Sequence, residues 1–256
     1  MRRFERYVAI GDSTAEGLDD PDGHGGYRGW ANRLAERIAR EQGDLLYANL
    51  AVRGRKTREV LEEQLDEALA MRPDLAAVVS GTNDILRPHF DAEGVARDIE
   101  RMQRALIEAG ATVVSFTLPD LTPVMPLARP LRGRIQRFAR ALVEASARSG
   151  ALVVDFAAHP VASDPRLWSE DRLHANALGH GRIADALAHA LSLPGAGPEW
   201  AMALPKRRPR GAPRALASEL LWSRRYLLPW LWQHARGRSS GHGCSPKRPR
   251  LEPVTF

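Results

Sequence analysis

The sequence predicts an α/β fold, a parallel five-stranded sheet with helices on both faces, and three observations carry that expectation. Short apolar runs of strand length stand at residues 7–10, 45–50, 75–80, 112–116 and 152–156, and several end at Gly, Asn or Asp. Longer stretches between them, 30–42, 57–71, 91–109 and 131–149, place apolar residues at helical spacing, and 177–191 follows the last strand in the same style. Gly43, Gly110 and Gly150 stand where helix C-caps belong. Strands separated by helices need crossover connections, which give a parallel sheet covered on both faces. Such sheets carry their sites at the carboxyl ends of the strands.

A chain of 256 residues suits one α/β core of ordinary size. Hydrophobic residues at 44% and charged residues at 27% lie near globular averages, which excludes a wholly disordered chain and a coiled coil. The single cysteine, Cys244, excludes an internal disulfide and any multi-cysteine zinc or iron–sulfur site. The apolar run after the charged first residues stops at Ile10, too short for a signal-peptide core. No stretch approaches the ~18–20 apolar residues of a bilayer span, so the expected location is the cytoplasm.

Charge is unevenly spread. Of 37 Lys+Arg and 31 Asp+Glu, residues 201–256 hold 12 and 2, a net of +10, which leaves 25 against 29, or −4, for residues 1–200. Lysine occurs only as Lys56, Lys206 and Lys247, while Ala and Arg abound, as expected of a GC-rich genome. The chain thus divides into a folded α/β domain over 1–193 and a basic extension over 194–256. Residues 195–198 read as a linker, 205–213 are too basic and proline-rich to fold alone, and 236–256 read as disordered. Between them, 216–232 carries Leu221, Trp222, Tyr226, Trp230 and Trp232 around Arg224 and Arg225, a short amphipathic helix ending near Pro229. Such a helix either docks on the α/β domain or a second subunit, or lies peripherally on an anionic membrane surface. The arginine bias and the character of the core argue against a nucleic-acid role for the basic patches.

The residues after the strands specify the chemistry. Gly11, Asp12 and Ser13 follow the first strand, Asn49 to Gly54 the second, and Gly81, Thr82, Asn83 and Asp84 the third; Asp171 to His174 lie beyond the fifth. One sheet edge therefore collects a hydroxyl, glycines, an amide and an Asp/His pair. Acyl transfer needs that set: a nucleophile, a base for its proton, a carboxylate to orient the base, and neutral donors for the oxyanion. Histidine's ordinary pKa near ~6.5 suits the base, and Asp171 lies one turn of chain from His174. The Gly-x-Ser-x-Gly elbow of the ordinary α/β-hydrolases fails here at Ala15.

At these four blocks the sequence resembles the SGNH hydrolases, also called the GDSL esterase/lipase family, over about residues 6–193. Thr14 stands where Leu is common in the first block. The resemblance implies a flavodoxin-like three-layer α/β/α fold with Ser13 as nucleophile, His174 as base and Asp171 as its orienter. It implies an oxyanion hole made by the backbone N–H groups of Ser13 and Gly54 and the Asn83 side chain. It calls for no cofactor and no metal.

Other polar residues read as structural: Asp12 and Asp84 as hydrogen-bonders near the site, Asn49 as a brace for the second-strand turn, and His180 as a packing residue. His24, His89 and His159 have no ligand-spaced partner, and residues 23–26 are not a phosphate-binding loop. The apolar, proline-rich segment 118–130 is either a wall for an acyl or alkoxy group or a surface loop. The expected activity is hydrolysis of a small acyl ester; the alternative is a catalytically idle SGNH-fold binding protein. Acyl length, alcohol and oligomeric state are not encoded in any motif.

Overall fold

The computed structural model describes residues 3–205, 221–227, 229 and 241–255. Each predicted strand forms: β1 (Arg6–Gly11), β2 (Leu46–Asn49), β3 (Leu75–Val79), β4 (Thr112–Phe116) and β5 (Leu152–Val154), all parallel, in the order β5-β4-β3-β1-β2. This is a doubly wound order whose direction of winding reverses between β1 and β3, where such sheets open a crevice.

Strand side chains alternate between two cores. Tyr7, Ala9, Tyr47, Leu75, Ala77, Val114 and Phe116 face α2 (Gly29–Gln42) and α8 (Ala177–Ala190), against Trp30, Leu34, Ile38 and Leu187. Val8, Ile10, Ala48, Ala76, Val78 and Val113 face the other way. They meet Val60, Ile99, Met102, Leu106, Phe138 and Leu142 from α3 (Thr57–Glu63), α6 (Ala92–Glu108) and α7 (Arg132–Ser149). Three layers result, and the runs of consecutive apolar residues in the strands are explained by burial on both faces.

Three sequence expectations are corrected. The helix expected over 57–71 breaks into α3 and α4 (Leu65–Ala70) at Gln64. The buried Gln64 amide there donates to the Gly11 carbonyl at 3.0 Å and accepts the Gly11 N–H at 2.8 Å. Residues 241–255, read as disordered, are ordered, and Arg248–Pro253 forms a sixth strand, β6, antiparallel to β2. Packing also continues past residue 193: Trp200 sits edge-on to Phe156 with ring centroids 5.5 Å apart, and Arg182 donates to the Trp200 carbonyl at 2.6 Å. Of the helix expected over 216–232, residues 216–220, 228 and 230–232 lie outside the described residues. Leu221 and Trp222 are helical and Ser223–Leu227 form a wide π-type turn. Among the described residues no helix is long and apolar enough to cross a membrane.

Candidate active site

Ser13 opens the one-turn helix α1 (Ser13–Glu16) directly after β1. The turn is tight because Gly11 approaches β3 closely: a Cβ on it would stand 1.9 Å from the Val79 carbonyl oxygen, so no other residue fits. Asp12 caps α1 by accepting the Thr14 N–H at 3.0 Å. Asp12 is fully buried, and burial pushes its carboxyl up to about 6, against the pull of Thr14 and His174. It is a structural cap beside the site, as the sequence indicated.

His174 Nε2 lies 2.9 Å from Ser13 Oγ, and His174 Nδ1 lies 2.6 Å from Asp171 Oδ2. Burial pushes the Asp171 carboxyl up. The hydrogen bond and charge of His174, its backbone N–H and the Ser169 hydroxyl outweigh burial and hold Asp171 well below the usual carboxylate range. An ionised carboxylate can only accept, so Nδ1 carries the ring proton and Nε2 offers its lone pair to the Ser13 hydroxyl. For His174, burial pushes downward; Asp171 outweighs it, with Asp19 and Asp12 adding, and the net shift is upward.

The loop holding this pair is braced from within. Asp171 Oδ1 accepts the N–H groups of Leu173 at 2.9 Å and His174 at 3.0 Å, the Ser169 N–H donates to the His174 carbonyl at 2.9 Å, and Trp168 bridges to Ala175. Asn176 then caps α8 through Leu178 and Gly179 while its amide N–H groups hold the carbonyls of Arg166 and Trp168.

One participant had no sequence signal. Asp19 adopts a left-handed φ of 65°, and its Oδ2 lies 2.6 Å from Ser169 Oγ and 3.9 Å from His174 Nδ1. The same Ser169 oxygen stands 2.6 Å from Asp171 Oδ1, so the two carboxylates share the one proton its hydroxyl can donate. Asp19, Asp171 and His174 bring ligand atoms within 4.8 Å of one another, yet the 2.6 Å Nδ1–Oδ2 separation fits a shared proton rather than an intervening cation.

The expected oxyanion donors stand on neighbouring loops. Gly54 follows β2 with φ +74°, a conformation that favours glycine. Its loop is fixed to α1 by Glu16, which accepts the Arg53 N–H at 2.8 Å and pairs with the Arg53 guanidinium. Asn83, in the one-turn helix α5 (Thr82–Ile85) after β3, donates one amide N–H to the Arg55 carbonyl at 2.9 Å. Asp84 accepts from the Thr57 backbone and hydroxyl, both at 2.9 Å, and burial raises its pKa. Asn49 bridges the Ala15 carbonyl, the Tyr47 hydroxyl and the Ala51 N–H. His180 is buried between the Trp30 N–H and the Leu18 carbonyl, and burial lowers its pKa to about 4. These three are structural, as read from the sequence.

An apolar pocket opens beside Ser13 and His174, walled by Phe116, Leu118, Phe156, Val161, Ile183 and Trp200. Of the segment 118–130, Leu118 and Pro119 line it, whereas Leu121 and Ala128 are buried under the opposite face of the sheet.

Comparison with known proteins agrees with this architecture. The model of the GDSL-like lipase/acylhydrolase family matches residues 9–182, and the chain belongs to that family. It is accordingly a carboxylic ester hydrolase of the GDSL/SGNH kind. Among solved structures, LAE5, an α/β hydrolase from the metagenome of Lake Arreo, Spain, is 19% identical with a TM-score of 0.62, over 73% of this chain and 95% of its own. A catalytic mutant of Axe2, an acetylxylan esterase from Geobacillus stearothermophilus, is 15% identical with a TM-score of 0.60, over 79% of this chain and 97% of its own. EstA, a psychrotrophic esterase from Pseudoalteromonas sp., is 18% identical with a TM-score of 0.57, over 73% and 97%. At these identities the likeness shows the fold. No curated protein sequence matches significantly.

Proposed function

We propose that the chain hydrolyses a small acyl ester through a Ser13–His174–Asp171 triad. The observation that carries the reading is the hydrogen-bonded chain Ser13 Oγ–His174–Asp171, at 2.9 and 2.6 Å, at the mouth of an apolar pocket. His174 Nε2 takes the hydroxyl proton as Ser13 Oγ attacks the ester carbonyl, and Asp171 stabilises the imidazolium that forms. The oxyanion is received by the N–H groups of Ser13 and Gly54 and by the Asn83 amide N–H not spent on Arg55. The imidazolium then protonates the departing alcohol, and water, deprotonated by the same histidine, releases the acid from Ser13. The Axe2 structures include catalytic mutants with a serine or a histidine replaced by alanine, which supports a serine–histidine chemistry here.

The pocket favours an acyl group without charge. Hydrolysis of p-nitrophenyl acetate, butanoate, hexanoate and octanoate tests the reading. Each methylene that enters the pocket should raise kcat/KM by about fourfold, from ~0.8 kcal/mol per buried CH2, until the pocket is full. Ser13→Ala should remove turnover on every ester. Parent-level turnover by folded Ser13→Ala would refute the assignment.

A further inference from the structure

The family match ends at residue 182, yet a later segment rests on the loop of the site itself. The Trp222 side chain is buried, and its Nε1–H donates to the Asp171 carbonyl at 3.1 Å. The Arg172 guanidinium stands over the Trp222 ring, 4.9 Å from its centroid. Arg172 holds φ +62°, a conformation that costs a residue with a side chain and persists where its surroundings fix it. Next to it, Glu170 accepts the Tyr226 hydroxyl at 2.9 Å and pairs with Arg225 at 3.3 Å. Three consecutive loop residues, Glu170, Asp171 and Arg172, are thus each held by residues 222–226.

The extension also grips the other side of the site. Gly241 lies so near the Arg53 carbonyl that a Cβ would stand 1.9 Å from its oxygen, next to Gly54. Lys247 donates to the carbonyls of Tyr27 at 2.8 Å and Arg28 at 2.9 Å, and β6 completes the edge of the sheet. These contacts belong to a folded part of the enzyme.

We propose that residues 222–226 clamp the Asp171–His174 loop and that Trp222 is a positioning residue for ester hydrolysis. The proposal rests on the reading of Asp171 as the orienter of His174. The hydrogen bonds inside the loop fix the Asp171 carboxylate relative to the loop, but its own carbonyl is held from outside by the indole. Releasing that carbonyl beside a left-handed Arg172 lets the loop relax and the carboxylate drift from Nδ1. Small displacements of a catalytic group, near ~1 Å, cost up to about 10²-fold in rate. The Glu170 pairs with Tyr226 and Arg225 are exposed and contribute little, so the indole is the decisive contact.

The test uses the full chain and p-nitrophenyl acetate. Trp222→Phe keeps a ring under Arg172 and loses the N–H; Trp222→Ala loses both; Leu221→Ala, at a side chain 68% exposed, is the control. The expected kcat falls about 3- to 10-fold in Trp222→Phe, the effect of one hydrogen bond, and about 10- to 100-fold in Trp222→Ala, with KM within about twofold of the parent. His174 is faced by Asp171, Asp19 and Asp12. Only the first is loosened, so the acid limb of the kcat/KM profile should move to lower pH. Leu221→Ala should match the parent. Thermal unfolding and the fraction of protein titrated by a phosphonate probe report how much of each variant is folded. The clamp is overturned by a Trp222→Phe kcat within twofold of the parent, by a loss carried wholly in KM, or by normal turnover per titrated site. If Trp222→Ala does not fold, Trp222→Phe decides. Activity that survives Ser13→Ala would instead refute the triad on which the proposal stands.

Discussion

The substitution Asp171→Asn leaves the loop its shape and removes one charge. That charge lies 2.6 Å from His174 Nδ1. At an effective dielectric near 20, unit charges 4 Å apart interact by about 4 kcal/mol, and by more at hydrogen-bond distance. The amide introduced by Asp171→Asn would also turn an N–H toward Nδ1, favouring the tautomer whose Nε2–H faces Ser13 and cannot take its proton. The expected loss in kcat is about 10³- to 10⁴-fold, or roughly 4–5.5 kcal/mol. The lower end is favoured because Asp19 remains 3.9 Å from the same nitrogen. His174 must be neutral to act, and Asp171 helps hold its pKa up. The acid limb of kcat/KM should therefore shift to lower pH in the variant. Initial rates on p-nitrophenyl acetate from about pH 5 to 9, with melting curves, measure both. A loss below tenfold in a protein that melts like the parent would refute the role of Asp171.

Asn83→Ala should lower kcat by about 10²- to 10³-fold with little change in KM, since the amide meets the oxyanion mainly in the transition state; steady-state kinetics giving an unaltered kcat would remove it from the site. Lys247→Met leaves two carbonyls without their donor and should cost about 1–3 kcal/mol, or roughly 2–10 °C in Tm; an unchanged Tm would mean the extension is not anchored there. His180 titrates near 4 when folded and near ~6.5 when unfolded, so between these values the unfolded state binds the extra proton and stability falls as pH drops, by about 3 kcal/mol. Asp12, raised to about 6, works in the opposite sense over part of that window. The comparison with His180→Gln in urea unfolding isolates the histidine: a shallower fall from about pH 6.5 to 4 is expected, and an equal slope would show that His180 is not buried neutral.

The strands and the residues behind them were legible because burial on both faces writes continuous apolar runs and because a site at strand ends falls at predictable places. Ser13, Asp171 and His174 converge as their positions in the sequence indicate. What the sequence did not disclose depends on distant partners. Gln64 sits in a stretch with good helical spacing, and what interrupts the helix is a bond to Gly11, 53 residues away. Arg248–Pro253 carries two prolines and no alternating apolar pattern; it works as a strand at the edge because one side needs to pair, and Arg248 lies over the Tyr47 ring at 5.3 Å. Nothing in the sequence around Asp19 signals its bond to Ser169, 150 residues on. The amphipathic pattern around Trp222 does allow docking as one reading, but not where it docks, and the basic composition of the extension hid Lys247 as a docking residue.

The identity of the nucleophile is decided by reaction with a fluorophosphonate followed by peptide mass spectrometry. One phosphonyl group per chain is expected, carried on the peptide containing Ser13, with labelling lost in Ser13→Ala, slowed in His174→Ala, and accompanied by loss of esterase activity in proportion. Phosphonylation of another residue, or labelling that persists at parent rate in Ser13→Ala, would contradict a Ser13–His174–Asp171 triad.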